Sequence, residues 1–230
     1  MIQHIFANAE PFPFLVIDEF LPAELLYAAA GEFDYVSADA WVRYESADEH
    51  AKRTCHRMEA MGQACQQIIA CLTNPTAAKI AGWITGIDDL ESDPTLYGGG
   101  LHVTEPGGFL GIHADNERHP LTGLARRLNL IVYCTPNWRP EWGGELQLFD
   151  RACTRPVLAI EPIFNRAVLF ETGPRDYHGH PEPVRSPAGI SRKSIAVYFW
   201  SPAAARAHFV QRADEPFDAQ REAARIERSR

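Results

Sequence analysis

The chain lacks the features that mark several whole classes of protein. It has no Cys-x-x-Cys spacing, and its five cysteines (Cys55, Cys65, Cys71, Cys134 and Cys153) are odd in number and widely scattered. That pattern excludes a zinc ribbon or a disulfide-stapled secreted scaffold and reads as reduced thiols in a cytoplasmic setting. No apolar run approaches the roughly 18 uncharged residues of a membrane-spanning helix. The first twenty residues interrupt their apolar stretch with Pro11, Pro13, Asp18 and Glu19, unlike a cleaved targeting signal. Basic residues are in deficit, 22 Lys and Arg against 30 Asp and Glu, for a net charge of −8. A nucleic-acid surface needs a basic stripe, so nucleic acid is excluded as a partner and the acidic balance reads as plain solubility. There is no internal repeat and no low-complexity tract.

What is present suits one domain spanning 1–230: 230 residues, 46% of them hydrophobic, are enough for a sizeable single core. The order of patterns is helices first and strands later. Phe14–Phe20 is a short β-rich run stopped by Pro22, and Glu24–Phe33 reads as a helix. Met58, Met61, Cys65, Ile68, Ile69 and Leu72 recur at helical spacing, as in a helix packed on a sheet. Asn74-Pro75 is an N-cap followed by proline at the first helical position, opening a helix expected to end near Gly82 or Gly86. From Tyr97 onward, short apolar or alternating runs are divided by Gly, Pro and Asn clusters, the pattern of a jelly roll. The expected organisation is therefore a helix-rich part over about 1–90, a mainly β jelly-roll core over about 95–202, and an Ala- and Arg-rich C-terminal helix over about 203–230.

Chemistry concentrates in His113-Ala-Asp115, followed downstream by His178. In a strand, residues i and i+2 point the same way, so His113 and Asp115 can reach one ion while Ala114 turns aside. Two imidazoles and one carboxylate form a face that leaves half an octahedral metal open, the ligand set of non-haem Fe(II) oxygenases. Alone, one His-x-Asp among nine histidines is equally a hydrogen-bonded surface pair. The context adds Arg192 at the head of the apolar run Arg192-Lys-Ser-Ile-Ala-Val-Tyr-Phe-Trp200, where a planar guanidinium suits capture of a carboxylate. Parity on that run sets Arg192, Ser194, Ala196 and Tyr198 on one face and Lys193, Ile195, Val197 and Phe199 on the other. Over 128–133 it separates Asn129, Ile131 and Tyr133 from Leu128, Leu130 and Val132.

His-x-Asp, a distal His and an Arg heading a hydrophobic strand together resemble the prolyl 4-hydroxylase-like branch of the Fe(II)/2-oxoglutarate dioxygenases. The resemblance covers most of the chain. Phe14–Pro22 is similar to the family's first strand, Leu96–His102 and Pro106–His113 to its first two barrel strands, and Arg127–Tyr133, Trp142–Leu146 and Tyr177–Gly179 to later strands and the distal-histidine turn. The aromatic-His-Gly pattern falls on Tyr177-His178-Gly179, which favours His178 over His180 as the distal ligand. Where some prolyl hydroxylases carry a tyrosine contacting the oxo acid, this chain has Val103 and Phe109. The resemblance implies Fe(II) on His113, Asp115 and His178 as the catalytic centre. It further implies 2-oxoglutarate as cosubstrate with its far carboxylate on Arg192 and Tyr133, with Asn129 on the same face, and ascorbate as an optional addition. His102 borders the pocket; His119, His50, His56, His4 and His208 read as loop or surface residues, and Trp138, Arg139 and Trp142 as a possible substrate rim.

The implied reaction couples O2 and 2-oxoglutarate to hydroxylation of a substrate C–H, releasing succinate and CO2. Three readings stand side by side: hydroxylation of a prolyl residue in a protein or peptide, hydroxylation of a free amino acid or small metabolite, and a non-catalytic jelly-roll domain binding a metal or sugar.

Overall fold

In the computed structural model, which describes residues 1–115 and 118–202, all strand pairings are antiparallel and the sheet curls into a half-barrel. The elements run α1 (Ile2–Ala7), β1 (Phe14–Ile17), α2 (Ala23–Glu32), β2 (Val42–Tyr44), β3 (Glu49–Cys55), α3 (Gln63–Leu72), α4 (Pro75–Thr85) and β4 (Glu91–Ser92). They continue with β5 (Gly100–His113), β6 (Ala125–Tyr133), β7 (Leu146–Phe149), β8 (Pro156–Ile160), β9 (Ala167–Glu171), β10 (His178–His180) and β11 (Arg192–Ser201). The main path is β1-β9-β6-β11-β5-β10-β7-β8, with the β2–β3 hairpin laid along β5 and β4 along β11. Within this described set the jelly-roll expectation holds, and no helix is long and apolar enough to cross a membrane. The expected C-terminal helix over about 203–230 lies outside the described residues.

Alternation along β6 and β11 divides the protein into two apolar bodies. Leu128, Leu130 and Val132 of β6 and Ile195, Val197 and Phe199 of β11 face outward and pack beneath Leu26, Ala29, Ile68, Ile69 and Ala78 of the helices. The opposite face carries Tyr133, which joins Phe12, Leu146, Leu148, Ile160, Val168 and Phe170 in a smaller body inside the curl. This is the separation that parity predicts. Lys193 lies on the outer face, donating to the carbonyl of Ala30 at 3.2 Å and reaching Asp34 at 2.8 Å.

Several boundaries differ from the sequence reading, each for a physical reason. The two strands expected over Leu96–His102 and Pro106–His113 are one strand, β5, because β3 pairs with both segments along one edge while β11 and then β10 take the other. β1 stops at Ile17 rather than Phe20, since its only partner strand, β9, pairs from Phe170 back to Ala167. The stripe from Met58 is broken into a single 3-10 turn over Met58–Ala60 and α3. Trp142–Leu146 is not a strand: a 3-10 turn at Pro140–Trp142 is followed by left-handed Gly144 (φ +75°), and β7 begins at Leu146. The N-terminal part is also not purely helical, for β2 and β3 belong to the sheet; the polar run Glu49-His-Ala-Lys-Arg-Thr carries no apolar alternation to reveal it.

The capping of α4 follows the sequence reading. Asn74 Oδ1 accepts from the backbone N–H of Thr76 at 2.8 Å and of Ala77 at 3.0 Å, and the helix closes at Gly86. Asn74→Ala should therefore cost about 1 kcal/mol of stability by loss of both cap bonds, measured as a lower urea midpoint with an unchanged slope; an unchanged midpoint would refute the cap's role.

Candidate active site

The strand register builds the centre. β10 pairs with β5 so that His178 stands directly opposite His113. Gly179, between His178 and His180, is forced by this contact, since a Cβ there would lie 2.6 Å from the carbonyl oxygen of Gly111. Asp115 follows just past the end of β5. One ligand atom from each of His113, Asp115 and His178 lies within 4.8 Å of the others, the only such cluster among the described residues. The Nε2 atoms of His113 and His178 each lie 3.7 Å from an oxygen of Asp115. His113 Nδ1 bonds the carbonyl of Gly111 at 2.9 Å, and His178 Nδ1 bonds that of Asp176 at 3.0 Å. A carbonyl only accepts, so both protons sit on Nδ1 and both Nε2 lone pairs point at the shared space, the arrangement that orients metal-binding imidazoles.

Asp115 is held by groups that sequence reading did not single out or placed elsewhere. Arg126 Nη1 lies 3.0 Å from Asp115 Oδ1, and its guanidinium stacks on Tyr198 at 3.9 Å and Trp200 at 5.0 Å. Asn129 donates to Asp115 Oδ2 at 3.3 Å, so it sits at the carboxylate rather than beside Arg192. His119, read as a loop or surface residue, does lie in a loop but is buried: its Nδ1 accepts from the N–H of Leu121 and Thr122, and its Nε2 lies 3.3 Å from Asp93. It packs edge-on against Trp200 and so ties the segment after Asp115 to the stack that carries Arg126.

The second part of the pocket surrounds Arg192. Arg192 is 6% exposed, and its guanidinium donates from Nε to the carbonyl of Gly144 at 2.8 Å and from Nη2 to the hydroxyl of Tyr133 at 3.3 Å. Gly144 must lack a side chain here, because a Cβ would come 3.1 Å from Arg192 Cδ. Both hydrogen-bond partners of Arg192 are neutral; burial disfavours its charge, and Glu145 favours it without a direct contact. Tyr133 is fully buried, and burial raises its hydroxyl pKa, so it stays a protonated phenol. A buried cation beside a buried O–H donor fits a carboxylate, and two neutral imidazoles with one carboxylate fit a divalent metal: the residues suit both groups. Of the sequence-predicted residues, His113, Asp115, His178 and Asn129 meet at one end of the pocket and Arg192 and Tyr133 at the other. His102, opposite Ser194 on β11, bonds the carbonyl of Gly98 at 3.2 Å. Trp138 bonds the carbonyl of Gly143 at 3.0 Å and packs edge-on against Trp142, so this pair braces its own loop.

Burial, and next the proximity of His113, pushes His178 down to about 4, with Asp115 acting in the opposite direction. Burial followed by the charges of Arg192 and Lys52 holds His180 well below the usual histidine range. In the unfolded chain both groups bind a proton below pH about 6.5, while in the folded chain they do not. The metal-free protein should therefore lose stability as pH falls below about 6.5, by up to about 1.4 kcal/mol per pH unit for each of the two groups. Denaturant titrations between pH 7 and 5 check this, and a flat profile would mean that these imidazoles titrate freely.

Comparison with known proteins agrees with this geometry. Residues 99–200 match the family model described as the 2OG-Fe(II) oxygenase superfamily. A prolyl 3-hydroxylase of Mus musculus, OGFOD1, is 32% identical over 85 residues, which are 35% of this chain and 15% of that protein. The match thus spans a small fraction of that relative's length. Among solved structures, a prolyl-4-hydroxylase of Pseudomonas putida aligns with TM-score 0.62 at 22% identity over 87% of this chain and 99% of that one. A prolyl hydroxylase of Trichoplax adhaerens, solved with a hypoxia inducible factor oxygen degradation domain peptide fragment, aligns with TM-score 0.62 at 16% identity over 87% and 89%. At such identities the structural likeness concerns the fold.

Proposed function

We propose that this chain is a 2-oxoglutarate- and O2-dependent hydroxylase of a prolyl residue in a protein or peptide, a reading supported by the match of residues 99–200 to the 2OG-Fe(II) oxygenase superfamily model. The observation that carries the reading is that the His113–Asp115–His178 cluster and the Arg192–Tyr133 pair border the same inner apolar body, through Phe170, which packs with Tyr133 and lies 4.7 Å from His178. The names of the mouse relative and of both structural neighbours, one of them bound to a peptide, support the prolyl substrate. Buried thiols at Cys55, Cys65 and Cys134 support a reducing, cytoplasmic setting.

His113, Asp115 and His178 hold Fe(II), and Arg192 with Tyr133 holds the far carboxylate of 2-oxoglutarate. When bound, iron and oxo acid supply the oxidising chemistry, in which O2 is consumed and succinate and CO2 are released. The chain's own residues supply position and environment. Arg126 and Asn129 fix the carboxylate of Asp115, and the two Nδ1–H bonds fix the imidazole rings. Tyr133 accepts a bond from Arg192 and keeps its own proton to donate to the carboxylate. Phe170, edge-on to His178 at 4.7 Å, packs with Leu148 and Val168 on the buried side of the centre, which lowers the local dielectric around His178.

Removing one of three ligands should abolish turnover, so His113→Ala and His178→Ala should each lose high-affinity Fe(II) in anaerobic titrations. Stripped wild-type protein given Fe(II) and 2-oxoglutarate without O2 should develop a weak visible charge-transfer band. Tight zinc binding with no such band would instead indicate a binding scaffold.

At the other end of the pocket, Arg192→Ala should raise the apparent KM for 2-oxoglutarate by about tenfold to a thousandfold, as expected for a lost charge-assisted pair. Lys193→Ala, on the outer face, should change it little. Succinate release with proline-containing peptides and free amino acids measures both, and equal effects from the two variants would reject the carboxylate assignment.

A further inference from the structure

His180 stands on the same short strand as His178 and is not one of the three clustered ligands. It is 3% exposed, and its Nδ1 is buried without a hydrogen-bond partner. A buried polar atom left unpaired is costly, so such a group in a well-packed strand calls for an explanation. Its surroundings supply one. Along β5, His178 stands opposite His113 and His180 opposite Leu110, while Arg192 at the start of β11 stands opposite Thr104, so His180 lies between the two along that strand. Arg192 marks the carboxylate end of the pocket and His113 the metal end. Lys52, opposite Thr104 on β5, is committed to Glu49 at 2.9 Å, and Thr104 is in turn opposite Arg192. His180 therefore flanks the path between the two ends, where the carbon chain and far carboxylate of an oxo acid must run. No other imidazole of the described chain combines this burial with an unpaired ring nitrogen.

We propose that His180 is a further binding residue for 2-oxoglutarate, its neutral imidazole donating an N–H to the far carboxylate alongside Arg192 and Tyr133. A neutral donor suits the place. Arg192 already balances the carboxylate's charge, and a second full charge would be buried without a partner. Alternation along β10 turns His180, two residues after His178, along the same wall, and the extra residue at the register shift between them lies in β5, where His178 is opposite His113 and His180 opposite Leu110. This inference rests on the proposed oxo-acid reading of the pocket.

Calorimetric binding of 2-oxoglutarate to zinc-loaded protein, which cannot turn over, tests it. His180→Leu should weaken binding about tenfold to a hundredfold, the usual range for one hydrogen bond to a charged group, while His180→Gln should keep it within about threefold. Metal content and the melting temperature before ligand addition should match wild type in both. In the intact protein, the imidazole resonances of His180 should move when 2-oxoglutarate is added, a readout that needs no variant to fold. If His180→Leu binds as wild type does while Arg192→Ala does not, or if the resonances stay fixed, the inference fails and the oxo-acid reading stands. Equal loss in the Leu and Gln variants would make His180 a packing residue and also overturn it. If wild-type protein does not bind 2-oxoglutarate at all, the reading of the pocket falls and this inference with it.

Discussion

The pairing of β10 with the end of β5 brings residue 178 against residue 113, and the rest of the centre is arranged around that contact. Side chains alternate along a strand, so a slip of one residue in this register would turn His178 away from His113 and destroy the three-ligand face. The register is held by local chemistry. Gly179 permits the backbone of β5 to approach, and β7 pairs on the other flank through Leu148 opposite His178. Asp115 is beyond the reach of the ladder, so its position comes from side chains: Arg126, itself clamped on Tyr198 and Trp200, and Asn129.

This polar interior is sustained by the apolar body on the other side of the same strands. β6 and β11 each bury one face under the helices, through Leu128, Leu130, Val132, Ile195, Val197 and Phe199. Burial of that face makes the strands rigid and free to present a polar opposite face. Taking Arg192 and Arg126 out of water costs several kcal/mol each unless partners offset it. Arg126 has Asp115 in contact, whereas Arg192 hydrogen-bonds only to a carbonyl and a phenol, with Glu145 acting on it without direct contact. The asymmetry gives the two ends of the pocket different characters: at one a cation and a carboxylate are in contact, and at the other the cation touches only neutral groups.

Local pattern made much of this legible. His-Ala-Asp at strand spacing, Arg192 heading an apolar run, and period-two alternation over 128–133 and 192–199 are all read from short windows, because alternation of side chains is a property of the backbone itself. The Asn74-Pro75 cap is legible for the same reason. The β2–β3 hairpin was not, since a strand lying along a half-open wall needs no apolar alternation, and Glu49–Cys55 is polar for most of its length. Arg126 and Arg127 are neighbours of identical type. Only the rings of Tyr198 and Trp200, supplied by a strand some seventy residues later, distinguish the buried one that braces Asp115 from its neighbour.

The sequence by itself determined which chemical groups the site has, which face of each strand they occupy and where the helices are capped, because those depend on residue type, spacing and backbone hydrogen bonds a few residues apart. Only the tertiary structure decided that β5 is one strand, that His119 is buried against Asp93, that Asn129 serves Asp115, and that His180 is enclosed without a partner. Each of these is a contact between residues distant in the chain, where register, curvature and burial set the outcome and no local pattern carries the information.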